Sequence, residues 1–222
     1  MDNRSLEMKK LDLMPAETET ETEQVFLPVM EEFYTIQGEG FNTGTAAYFI
    51  RLGGCDVGCH WCDVKESWDA NAHPKKSIEE IVREAAMYPA KTVVITGGEP
   101  LMYDLTALTE ELKAAGIRTF LETSGAYPLT GEWDWICVSP KKFKAPLPSV
   151  LQQAHELKVI VYNKSDFQWG EQHAAQTSPE CRLFLQPEWS KASDMTPLIV
   201  EYVKEHPKWK VSLQTHKYMD IP

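Results

Sequence analysis

The sequence predicts an α/β protein built on a parallel sheet that closes wholly or partly into a barrel, and two observations carry that expectation. Short β-rich apolar runs recur along the chain, each ending in a polar or glycine-rich tail. Helical patterns stand between several of them, the alternation that goes with a parallel sheet. A third observation bears on chemistry: residues 55–62 read CDVGCHWC and hold three of the chain's five cysteines.

In chain order, the runs are Tyr48–Leu52 before the cysteine loop, Thr92–Thr96 before GGEP, Thr119–Thr123 before SG, and Trp135–Ser139 before PKK. Lys158–Tyr162 leads into NK, Leu183–Leu185 into QP, and Val211–Gln214 into THK. Ser77 with Glu80 three residues on forms a capping box ahead of IVREAAMY. Asp104 can cap LTALTEELKAAG, which stops on Gly116. Thr196 followed by Pro197 has the cap-then-proline order that would start LIVEYVKEH. In a parallel α/β barrel the loops after the strands meet at the carboxyl-end mouth. The cysteine loop, GGEP, ETSG, SPK, LQP and QTHK would then share one cavity.

Composition narrows the function classes. A chain of 222 residues suits one α/β domain, and a hydrophobic content of 43% is ordinary for a soluble globular protein. The run ETETETEQ marks residues 1–24 as an acidic, disordered leader before a single domain over 25–222. No apolar run reaches membrane-spanning length and the first residues lack a secretory signal, so the expected compartment is the cytoplasm, without a membrane partner. A net charge of -11 argues against a nucleic-acid partner, because phosphate binding rests on clustered Lys and Arg.

An odd number of cysteines in a cytoplasmic chain argues against a disulfide framework and for metal binding or catalysis. Cys55, Cys59 and Cys62 have the spacing C-x3-C-x2-C in a loop bracketed by Gly53, Gly54 and Gly58. Three thiolates on a four-iron cluster leave one iron open for another ligand. The alternatives are a zinc site completed by His60, although zinc sites more often use two separated cysteine pairs, and a chance cluster of buried cysteines. Cys137, in an apolar strand, and the isolated Cys181 read as buried thiols.

The spacing, with Trp61 before the third cysteine and TGGEP downstream, resembles the radical S-adenosylmethionine (SAM) superfamily. The resemblance implies a [4Fe-4S] cluster on Cys55, Cys59 and Cys62 whose open iron chelates SAM, and an electron that cleaves SAM to a hydrogen-abstracting 5'-deoxyadenosyl radical. YTIQGEG (34–40), AAYFIRL (46–52), VVITGGEP, LETSG, VSPK, LQP and the closing SLQTHKYMDIP resemble one family within it, 7-carboxy-7-deazaguanine synthase, over residues 29–222. That resemblance implies a truncated, partial (β/α) barrel forming a homodimer. It also implies conversion of 6-carboxy-5,6,7,8-tetrahydropterin to 7-carboxy-7-deazaguanine and ammonia, in queuosine or 7-deazapurine biosynthesis. An external donor such as flavodoxin or ferredoxin would supply the electron.

Carried onto this sequence, the resemblance places SAM at Trp61, Cys62, Asp63, Gly98, Ser124, Ser139, Pro140, Lys141 and Gln186. It places the pterin at Ile36, Gln37, Gly38, Glu39, Arg51, Thr96, His216 and the terminal carboxylate of Pro222. The chemistry of these residue types agrees: a carboxylate such as Glu39 can accept the pterin's adjacent N–H and amine, and an arginine such as Arg51 can pair with the substrate carboxylate. Arg51 is expected to be buried with its apolar neighbours rather than held in a surface ion pair. One position departs from the family pattern. Where a Thr or Ser hydroxyl helps hold Mg2+, this chain has Val64, which offers no side-chain oxygen. Two other readings remain open on sequence: a radical SAM activase of a glycyl radical enzyme, and a non-catalytic iron-sulfur or zinc module.

Overall fold

The computed structural model describes residues 24–222. All but the last residue of the expected leader lies outside that range. The described residues form a nine-stranded sheet from β1 (Phe26–Ile36), β2 (Ala46–Leu52), β3 (Lys75–Ser77), β4 (Thr92–Gly97), β5 (Arg118–Thr123), β6 (Trp135–Val138), β7 (Glu156–Val161), β8 (Arg182–Pro187) and β9 (Trp209–Val211). Their order is β3-β1-β2-β4-β5-β6-β7-β8-β9. From β2 to β9 every neighbouring pair is parallel, whereas β1 pairs antiparallel with both β2 and β3. The sheet does not close edge to edge, which is the partial barrel expected. Among the described residues no helix is long and apolar enough to cross a membrane.

The strand period of two sorts each strand into an outer and an inner face. Outward residues Ile50, Leu52, Val93, Ile95, Leu121, Leu157 and Val159 join the main core under the helices α1 (Ile78–Ala86), α2 (Thr106–Ala114), α3 (Pro148–Leu151), α4 (Ser165–Ala174) and α5 (Ala192–Glu205), represented there by Ile81, Leu108, Leu112, Val150, the partly buried Phe167 and Ile199. Inward residues make a smaller cluster, Ala47, Phe49, Val94 and Phe120, with Phe33 stacked on Phe49. Two residues further along β2, β4 and β5 the inner face turns polar, at Arg51, Thr96 and Glu122, and these side chains line a cavity at the carboxyl ends of the strands. The apolar cluster is the floor of that cavity.

The helix signals hold fully in one place of three. Ser77 and Glu80 form the reciprocal capping box. The Asp104 signal holds only in its neighbourhood, because the N-cap of α2 is Leu105 and Asp104, one residue earlier, accepts from the Thr106 backbone N–H at 3.0 Å; Gly116 closes α2 with φ +71°. The third is corrected: α5 begins at Ala192 and carries Pro197 inside it, where the missing N–H leaves the Ser193 carbonyl without its helical partner. Strand β9 is shifted too, to Trp209–Val211, because Ser212–Gln214 leaves the sheet to approach the loop after β1 and enter α6 (Thr215–Met219).

Candidate active site

The cysteine loop leaves β2 through Gly53 and Gly54, the latter at φ +98°. The backbone is fixed by Gly53 N–H to Pro28 O (2.9 Å), Gly54 N–H to Ser67 O (2.6 Å) and Cys55 N–H to Trp68 O (3.2 Å). On the opposite side Asp56 accepts from the Tyr127 hydroxyl at 2.5 Å and from Lys144 Nζ at 2.8 Å. Cys55, Cys59 and Cys62 all line the cavity as free thiols. Burial raises the Cys55 thiol and pushes Cys59 up to about 11, so the loop would release protons on taking a metal centre. No three His, Cys, Asp or Glu side chains among the described residues converge tightly enough for one ion, and a cluster does not require it, because each thiolate binds a different iron. Cys137, in β6, and Cys181, in the turn before β8, are buried, with thiols raised by burial.

GGEP meets this loop at the end of β4. Gly98 N–H donates to Leu52 O and Glu99 N–H to Gly54 O, both at 2.8 Å. The buried Glu99 carboxylate accepts from Leu101 N–H (3.1 Å), Thr123 Oγ1 (2.5 Å), Ser124 N–H (2.8 Å) and the Ser124 hydroxyl. It ties the end of β4 to the end of β5. Lys141 Nζ donates to Ser139 O at 2.5 Å and Ser139 Oγ at 2.7 Å and lies 5.8 Å from the Trp61 ring centroid. Burial lowers its pKa.

The other end of the cavity is closed by the loop after β1. Gly38 O accepts from Thr215 N–H and Oγ1 (both 2.9 Å), Gly40 N–H donates to Ser212 Oγ (2.9 Å), and Phe41 N–H donates to Glu156 Oε2 (3.2 Å). Gly38 is required by packing: a Cβ there would lie 2.3 Å from His216 Nδ1. Glu39 Oε2 accepts from Lys158 Nζ at 2.6 Å and Oε1 from Gln214 Nε2 at 2.9 Å. Burial would raise Glu39, but the Lys158 charge and hydrogen bond together with Gln214 hold it at about 2. It is an ionised acceptor at the cavity wall.

Of the residues assigned from sequence, Ile36, Gln37, Gly38, Glu39, Arg51, Cys55, Cys59, Trp61, Cys62, Asp63, Val64, Thr96, Gly98, Ser124, Ser139, Lys141, Gln186, His216 and Pro222 line this one cavity, whose volume is about 700 Å³. Pro140 is not among its lining residues. Arg51 corrects an expectation: it faces the cavity but is paired with Glu31 at 2.5 Å, and its side chain is 21% exposed. The antiparallel β1, absent from the strands expected on sequence, supplies that carboxylate. Two inward side chains that sequence reasoning missed, Glu122 and Lys158, also line the cavity. The period of two could have found Glu122, two residues beyond Phe120, and Lys158 opens a run already read as a strand.

Comparisons with known proteins converge on this arrangement. A family model described as Radical SAM superfamily matches residues 49–137. A 7-carboxy-7-deazaguanine synthase of Flavobacterium psychrophilum is 63% identical over 88% of this chain and 93% of its own, and one from Synechocystis is 49% identical over 89% and 94%. The crystal structure of QueE from Escherichia coli superposes with a TM-score of 0.77 at 32% identity, covering 85% of this chain and 93% of that one. The radical SAM family implies a [4Fe-4S] cluster and SAM, which fit a cavity with three free thiols at one end and a fixed carboxylate at the other. With that identity over most of its length, the chain belongs to the 7-carboxy-7-deazaguanine synthase family of radical SAM enzymes.

Proposed function

We propose that this chain converts 6-carboxy-5,6,7,8-tetrahydropterin to 7-carboxy-7-deazaguanine and ammonia. The observation that carries the reading is one chamber with cluster-type thiols at one end and the Glu39 carboxylate at the other. When bound, the cluster and SAM supply the one-electron cleavage that yields a hydrogen-abstracting radical. The chain's own work is to hold and orient. Cys55, Cys59 and Cys62 hold the cluster, while Gly98, Ser124, Ser139, Lys141 and Gln186 border SAM. Glu39 accepts the pterin's N–H and amine, Arg51 offers its remaining guanidinium donors to the substrate carboxylate, and Gln37, Thr96 and His216 complete the wall. Losing ammonia from the pterin balances the atoms of the deazapurine without a further reactant.

Residues 25–222 act as one catalytic domain in a homodimer, in the cytoplasm, with electrons from a flavodoxin- or ferredoxin-type donor. Mg2+ binds through substrate and water rather than through position 64. The test is anaerobic incubation of the reconstituted chain with SAM, reductant and the carboxytetrahydropterin, followed by mass analysis. The deazaguanine product is expected from the native chain and from Cys137→Ala and Cys181→Ser, and not from Cys55→Ala, Cys59→Ala or Cys62→Ala. A Cys59→Ala chain that still cleaves SAM would sink the assignment.

A further inference from the structure

Lys158 is a charged residue on the inner face of a central parallel strand, with a side chain only 5% exposed. Its ammonium lies 2.6 Å from Glu39 Oε2 and 2.9 Å from Glu122 Oε2. Gln37 completes a ring, donating from Nε2 to Glu122 Oε1 at 3.3 Å while its Oε1 accepts from the Glu39 backbone N–H at 3.1 Å. The ring joins three elements that are distant in sequence: the loop after β1, the end of β5 and the middle of β7. Two carboxylates this close to one cavity repel each other, and the ammonium between them relieves the repulsion. One surplus negative charge remains in the trio, directed at the cavity.

We propose that Lys158 is a positioning residue for the pterin: fixed between Glu39 and Glu122, its ammonium presents Glu39 as a carboxylate and makes the site select a ring edge with two adjacent N–H donors over one with a carbonyl. This rests on the pterin reading above and adds the origin of its selectivity. The titratable and charged groups facing the ammonium are Glu39 from the loop after β1, Glu122 from β5, the neutral Cys137 thiol from β6, Lys141 from the loop after β6 and Glu156 from its own strand, and His216 faces Glu39 from α6. Burial opposes the charge on Lys158, but Glu122 and Glu39 raise it well above its ordinary value, so both members of the pair stay ionised at neutral pH. Without the ammonium, burial still raises the Glu39 carboxyl while only the hydrogen bonds from Gln214 and Gln186 oppose it, so its pKa rises.

The test uses the full chain and a probe that needs no turnover. Fluorescent 6-carboxypterin, the oxidised analogue that keeps the N–H and amine edge, is titrated between pH 5.5 and 8 beside 6-carboxylumazine, which has a carbonyl in place of the amine. The native chain is expected to prefer the pterin by tenfold or more. Lys158→Met should weaken pterin binding at least tenfold at pH 6, with a smaller loss at pH 8, and bring the preference for pterin over lumazine toward unity. Lys158→Arg should keep affinity within about threefold, and the iron content and far-UV circular dichroism of Lys158→Met should stay close to native. Native affinity, selectivity and pH profile in Lys158→Met would overturn the proposal. So would parallel loss of iron and pterin binding that Lys158→Arg does not restore, because that is the behaviour of a merely structural lysine. A native chain that neither binds the pterin nor converts the substrate would instead overturn the functional reading itself.

Discussion

Glu99 illustrates how a motif residue at the site can act entirely within the protein. Its carboxylate is 1% exposed and accepts from two backbone N–H groups and two hydroxyls, so it has no open side for a ligand. Replacing it with Gln puts an amide N–H against donors. With hydrogen bonds to a buried charge contributing ~1.5–3 kcal/mol each, Glu99→Gln is expected to lose about 3 kcal/mol, read as a lower urea midpoint at unchanged slope. A native midpoint would show that this carboxylate does not tie β4 to β5. Val64 makes a separate residue-scale case. Its carbonyl accepts from Ser67 N–H at 3.1 Å and Ser67 Oγ at 2.6 Å, so the backbone at this position is fixed whatever the side chain. Val64→Thr therefore adds a hydroxyl at the cavity wall without moving the loop. It should tighten Mg2+ by roughly 1 kcal/mol, the scale of one net polar contact, read as a lower midpoint of initial rate against magnesium after chelation. Identical midpoints in the two chains would remove position 64 from the account of the metal.

Among the elements, the end of β4 packs against the end of β2 and the cysteine loop with no room for a side chain. A Cβ on Gly98 would lie 2.1 Å from Gly54 O, and one on Gly97, at φ +129°, would lie 2.2 Å from Leu52 O. Both obstacles are backbone, which cannot swing aside. Gly98→Ala should therefore push the cysteine loop off β4, halving or worse the iron and sulfide taken up on reconstitution, while far-UV circular dichroism stays close to native. Full iron content would show that the loop tolerates the displacement. The elements also explain what is legible in the sequence. The parallel strands β2 and β4–β8 announce themselves as apolar runs because they are covered on both faces. Strand β1 does not: FLPVMEEFYTI mixes Pro28 and two glutamates into a half-exposed antiparallel strand. The start of α5 is hidden because a Thr-Pro pair reads as a cap, the position proline favours, whereas here Pro197 lies inside the helix against that preference. Site residues on short motifs are legible, since glycine and cysteine spacing is local. The Glu39–Lys158–Glu122 ring is not, because its bonded members are 36 to 119 residues apart and meet only once the sheet curls.

At the scale of the whole molecule, an open sheet must be held in its curve, and the loop after β1 does so by reaching β7 and the segment after β9. Glu156 is the β7 anchor of that clasp, 2% exposed, with Oε2 accepting from Phe41 N–H at 3.2 Å and from Trp135 Nε1 at 3.1 Å. Its Oε1 has no hydrogen-bond partner among the described residues, and a Cβ on Gly40 would lie 1.9 Å from it. Burial first, then the Glu122 charge, raise this carboxyl to about 7 against the opposing pull of Lys158. The sign follows from proton counting. Between pH 4.5, its ordinary value, and about 7 the folded chain keeps a proton that the unfolded chain has released, so stability falls as pH rises through this window. Glu39, held at about 2, acts in the opposite sense but below pH 4.5, outside the window. Glu156→Gln keeps an oxygen for Phe41 and Trp135 and cannot ionise. Relative to the variant, the native chain should lose on the order of 2–3 kcal/mol between pH 5 and 8, at about 1.36 kcal/mol for each tenfold difference in proton affinity between the folded and unfolded chain. The measurement is the urea-unfolding free energy of both chains across that range. The histidines lowered by burial, His173 and His216, titrate in both chains and cancel in the difference. Parallel curves would mean that Glu156 is ionised in the folded chain, and its unpartnered oxygen would then need a partner of another kind.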